Sequence, residues 1–81
     1  MASKPKRQRK RRRFKRLGKH LRRTREAAGF TKMYVVRNSR ITFSHLQKIE
    51  RGLIELKFRT LRELARVYQV TLSQLFKGYE S

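Results

Sequence analysis

Apolar residues recur along this chain at three- and four-residue spacing in five short stretches, and no segment reads as a strand. Phe14, Leu17 and Leu21 begin the pattern, Ala27 and Ala28 lie near its end and Gly29 offers a stop, which predicts a first helix over 14–28. Phe30 follows as an apolar anchor. Thr31 can cap a second helix over 32–38, with Val35 inward and Val36 or Tyr34 beside it. Asn38-Ser39-Arg40 breaks the pattern and Ile41 fills the turn. Thr42 then caps a third helix over 43–51, with Leu46 and Ile49 inward and Gly52 closing it. Leu53-Ile54-Glu55-Leu56 is a linking loop. A fourth helix over 58–68 places Phe58, Leu61, Leu64, Ala65 and Tyr68 on one face. Thr71 caps a last short helix that carries Leu72, Leu75 and Phe76 and ends near Gly78. The expected class is therefore all-α, a small bundle of five helices whose second and third form a helix-turn-helix.

Charge changes this picture at one end only. The chain has 81 residues with 24 Lys+Arg against 5 Asp+Glu, a formal net charge of +19. Fourteen of the basic residues and none of the acids fall in residues 1–25. The block KPKRQRKRRRFKR, residues 4–16, repels itself and has Phe14 as its one apolar residue, so residues 1–13 are expected to be a disordered basic arm. Its Lys4, Lys6, Arg7, Arg9, Lys10, Arg11, Arg12 and Arg13 suit a polyanion, because each one that neutralises a phosphate releases a counterion. The alternative is a solubilising tail. Charge alone leaves the anion open between DNA, RNA and an acidic membrane surface. Residues 14–78 are expected to fold as the domain, with 79–81 as a tail. The length allows one domain with a small core, and with no cysteine that core has no disulfide or thiolate brace. No apolar run approaches the ~18 residues of a membrane span. The basic start lacks the apolar segment of a secretory signal, so a cytoplasmic, nucleoid-associated protein is expected.

Three stretches in order, LGKHLRRTREAAGFT, ITFSHLQKIERG and RTLRELARVYQVTLSQLF, carry a resemblance. From Leu17 to Lys77 the chain resembles the Cro and lambda-repressor type of helix-turn-helix domain, the XRE family. A single helix-turn-helix pattern is a weak signal; three pieces with matching order and spacing are a specific one. The resemblance implies a bundle of about five helices whose third enters the major groove. It also implies that Arg25 and Glu50 face each other and tie the first helix to the third, as a guanidinium and a carboxylate can through paired hydrogen bonds. Two departures stand out. The family commonly has a small residue near Val36 and a glycine near Arg40, so either Arg40 takes a left-handed conformation or the turn shifts that conformation onto Asn38. The reading positions, often glutamine, serine or arginine, are here Phe43, Ser44, Gln47 and Lys48.

These residues set the expected site. Ser44, Gln47 and Lys48 share a helix face and could reach base edges, Lys48 favouring guanine acceptors, while Phe43 can pack on a thymine methyl. For Gln47 the alternative is a solvated helix residue. Thr31 and Lys32, with Arg40, Arg51 and Lys57, are the candidates for phosphate contacts. The apolar end of the chain, Tyr68, Leu72, Phe76 and Tyr79, is where a homodimer contact would sit, unless those residues only close the core.

An enzyme is not expected. His20 and His45 lack metal-ligand spacing and read as surface or groove-facing, and the five glutamates form no close pair for acid–base work. The four glycines lie too far apart for a phosphate loop. No cofactor, metal or small-molecule ligand is expected. The expected partner is double-stranded DNA, read in sequence by a small prokaryotic or phage-type regulator. The alternatives are a low-specificity packaging or accessory protein dominated by its arm, and an arm that binds structured RNA.

Overall fold

The computed structural model describes the backbone of residues 3–77 and of Tyr79, and side chains from Phe14 onward. The expected helix end near Gly78, residues 80–81 of the tail and the side chains of the basic arm, residues 1–13, fall outside the described residues. Among the described residues five helices follow in order: α1 Ser3–Ala27, α2 Lys32–Arg37, α3 Phe43–Arg51, α4 Phe58–Tyr68 and α5 Leu72–Leu75. No strand occurs among the described residues, and none of their helices is long and apolar enough to cross a membrane.

The largest departure from expectation is α1, which begins at Ser3 and takes in the backbone of the basic block. Pro5 falls in the first turn, where its missing N–H removes no helical hydrogen bond. Lysine, arginine and glutamine lose little rotamer freedom in a helix.

The core is one cluster in which Leu21, Val35, Leu46, Leu64 and Leu75 are fully buried, with Ile41, Ile49, Ala65, Val67 and Tyr68 nearly so. The apolar periodicity anticipated most of this list, with two errors on α4. Phe58, expected inward, is 63% exposed, whereas Val67 is buried. Tyr68 is buried too and belongs to this core, and the Tyr79 ring lies 5.4 Å from that of His20 and 6.1 Å from that of Phe76. Burial and the nearby Glu50 carboxylate push the Tyr68 hydroxyl well above its ordinary pKa.

Caps fix the helix starts. Thr31 Oγ1 accepts from the Tyr34 amide, Thr42 Oγ1 from His45 and Thr71 Oγ1 from Gln74, each at 3.0 to 3.1 Å. Gln74 returns a bond to the Thr71 amide and completes a capping box. Gly52 ends α3 at φ 75°, as glycine readily does. α4 instead ends on Gln69 at φ 60°, the one non-glycine residue with positive φ among those described.

α1 packs chiefly on α3, and Gly18 allows it to. A Cβ there would collide with the Ile49 carbonyl oxygen and lie 2.7 Å from that of Glu50. His20, expected at the surface or facing the groove, is half-buried, with Nε2 2.6 Å from the Leu75 carbonyl oxygen, and so ties α1 to α5.

The turn between α2 and α3 contradicts both expected conformations. Neither Arg40 nor Asn38 has positive φ; Asn38 sits at φ −105°, ψ 15°. α4 supplies the polar partners that hold this turn. Arg66 donates to the Asn38 carbonyl at 2.9 Å, and the Arg40 amide donates to Glu63 at 3.0 Å. The Ser39 hydroxyl accepts from the Ile41 amide at 3.0 Å. A left-handed residue is unnecessary once these groups are paired within the fold.

Candidate nucleic-acid interface

α3 buries Leu46, Ile49 and Glu50 and turns Phe43, Ser44, Lys48 and Arg51 outward, so its exposed face carries no acid. Lys48 and Arg51 fall in its last turn, where cations complement the helix dipole. The anchor of this orientation is Glu50. Arg25 Nε and Nη2 donate to its two carboxylate oxygens at 2.8 and 3.2 Å, and Arg25 Nη1 donates to the Phe30 carbonyl at 2.8 Å. Both charged side chains are almost fully buried. The carboxylate, through these bonds, holds the guanidinium above its ordinary pKa despite the opposing effect of burial. The expected pair is therefore present, and it fixes how far α3 is rotated about its axis.

Two groups of candidates that sequence kept separate meet at the α2–α3 face. Lys32 Nζ donates to Gln47 Oε1 at 2.9 Å and lies 5.9 Å from the Phe43 ring centroid. Gln47 is thus half-buried and held, not freely solvated, and Phe43 keeps 42% of its surface exposed. With Oε1 engaged, the amide of Gln47 has its N–H groups left as donors. Thr31 uses its oxygen as the α2 cap, which leaves its hydroxyl proton to donate. Lys57 is exposed at the start of α4 and makes no side-chain cap. Arg40 lies apart from this face, in a groove with Arg37, Arg59 and Arg66.

Of these features, sequence missed Gly18, the His20 tie, the Lys32–Gln47 bond and the pair of α4 side chains that staple the turn. Gly18 left a signal, being a glycine inside a helical pattern where alanine would cost less.

A family model for a helix-turn-helix domain matches residues 16–75. The chain belongs to the helix-turn-helix domain family, in its Cro-type class. No curated protein and no solved structure matches it. In this helix-turn-helix domain the matched span holds the packed part of α1, both capped helices of the motif, α4 and α5. It excludes the basic block before Arg16. The fold is a DNA-binding one, and α3 has the dimensions and the exposed polar face that a major groove admits.

Proposed function

We propose that this helix-turn-helix domain reads the sequence of double-stranded DNA as a small transcriptional regulator, not an enzyme, acting on the nucleoid in the cytoplasm. The observation that carries the reading is the Lys32–Phe43–Gln47 cluster, which presets two reading side chains before any ligand arrives. Preset side chains lose less entropy on binding. In this reading Ser44, Gln47 and Lys48 meet base edges. Gln47, with its N–H groups left as donors, favours acceptors such as guanine O6 or thymine O4, and Phe43 packs on a thymine methyl. Thr31 and Lys32 hold one backbone, Arg51 and Lys57 the other end of the interface. The eight basic residues before Phe14 continue α1 along neighbouring phosphates and add affinity without sequence information.

Selection from a random duplex pool at near-physiological salt tests this. A recovered motif with guanine or thymine at the Gln47 and Lys48 positions supports the regulator, and an unstructured pool refutes it. Removal of residues 1–13 separates the contributions. The shortened protein should keep its preferred site, while the slope of log affinity against log salt falls by about 0.9 for each phosphate that the arm had neutralised. The weight of charge in residues 1–25 favours one second reading, a low-specificity nucleic-acid binder. Equal loss of binding to every duplex on truncation would select it, and preference for hairpin RNA would select the RNA form.

A further inference from the structure

The C-terminal end of α2, the α2–α3 turn and the outer face of α4 carry charge that α3 does not use. Two adjoining grooves of about 490 and 510 Å³ run along this surface, and no residue of α3 lines either. Arg59, Arg62 and Arg66 recur at helical spacing on α4, along roughly 10 Å of its length. Arg37 and Arg40 line the second groove with them.

The single acid on these walls, Glu63, is already engaged. Arg66 Nη2 donates to it at 2.7 Å and the Arg40 amide at 3.0 Å, and these bonds hold its carboxyl below the usual range. Arg37, Arg40, Arg59 and Arg62 make no ion pair among the described residues. At the end of the first groove Phe58 is 63% exposed, with the Arg62 guanidinium 6.0 Å from its ring centroid.

A row of guanidinium groups ending on a largely exposed aromatic ring matches a chain that alternates anions with flat π-systems. We infer that these grooves bind a single-stranded nucleic-acid segment, one base stacked on Phe58 and its phosphates on Arg59, Arg62, Arg37 and Arg40. Duplex DNA keeps its base faces stacked internally and has none to offer the ring. An acidic peptide would satisfy the arginines and leave the ring without a role. Stacking on an exposed ring tolerates any base, so sequence preference in this groove is weak. The site is distinct from the duplex-reading face, and the two can be filled together.

Nuclear magnetic resonance on the full chain, saturated first with duplex DNA, tests this with octathymidylate and, separately, octauridylate as probes. The expected result is new amide shifts at residues 38–40 and 58–66 while the α3 shifts caused by duplex persist. Whichever oligonucleotide binds more tightly identifies the strand as DNA or RNA. Phe58→Ala should weaken the strand about 5- to 140-fold, as loss of one stacked base does, and Phe58→Tyr should restore it. Arg59→Gln with Arg62→Gln should lower the salt slope by about 0.7 for each phosphate that these arginines had neutralised. Three results overturn the inference: an unchanged affinity in Phe58→Ala, displacement of duplex from α3 by the oligonucleotide, or equal shifts in the grooves from an octaglutamate peptide. Shifts at α4 without any duplex-induced shift on α3 would instead sink the duplex reading alone.

Discussion

Replacing Arg25 with methionine keeps the length of the side chain and removes three hydrogen bonds. Both Glu50 oxygens lose their guanidinium donors and the Phe30 carbonyl loses its own. The stranded Glu50 side chain is 3% exposed, so water does not replace the missing partner. Breaking a buried pair from one side costs about 3–5 kcal/mol. In a domain of this size that is a fall in Tm of roughly 12–40 °C. Glu50→Met is milder, because Arg25 keeps the Phe30 carbonyl and has the exposed Glu26 carboxylate 3.9 Å away. Its cost is about 2 kcal/mol. The double replacement leaves only the Phe30 carbonyl unpaired, a cost of about 1–2 kcal/mol. Thermal unfolding followed by circular dichroism should therefore rank the double variant above Arg25→Met alone. A double variant as unstable as the sum of the two singles would refute the pairing of these groups as the tie between α1 and α3.

Other variants probe single features of the fold. In an ordinary helix Gly→Ala stabilises by about 1 kcal/mol, but Gly18→Ala should destabilise by about 2 kcal/mol or more, because the new Cβ meets backbone carbonyls of α3; a rise in Tm would contradict the close crossing. Gln69→Gly should raise stability by roughly 0.5–1 kcal/mol by relieving the left-handed conformation, and a fall in the urea midpoint would count against it. Glu63 has a lowered pKa, so its contribution is present above the ordinary carboxylate value of 4.5 and is lost as pH falls below it. The Tm difference between the natural chain and Glu63→Gln should therefore shrink as the pH is lowered below that value; a constant difference would show that the staple on the turn does not depend on the charge.

Elements whose cause is local were legible in the sequence. Thr31, Thr42 and Thr71 announce their helices because capping needs only an oxygen near amides two or three residues on. Leu46, Ile49 and Gly52 place α3 to the residue, and the resemblance supplied Arg25 opposite Glu50. Features that depend on a distant partner were not legible. A non-glycine turn at Asn38–Arg40 looked strained because the groups that satisfy it, Glu63 and Arg66, lie more than twenty residues on. Phe58 shares the helical period of the core residues, yet it is the first residue of α4 and stays exposed, and periodicity alone does not tell which turn of a helix meets the core. The basic block resembled a coil by charge, while its backbone follows helix propensity and a proline placed where a helix tolerates one. Within the site the types of residue were readable, but the bond that joins Lys32 to Gln47 spans two helices and has no sequence signature.

The most direct test of α3 as the reading helix is amide shift mapping on the full chain, titrated with a duplex carrying the selected motif and then with a scrambled one. Duplex reading by α3 predicts shifts at Phe43, Ser44, Gln47 and Lys48 that are larger with the motif, together with shifts at residues 3–13 that are the same with both. Shifts confined to residues 3–13 and identical for the two duplexes would contradict it.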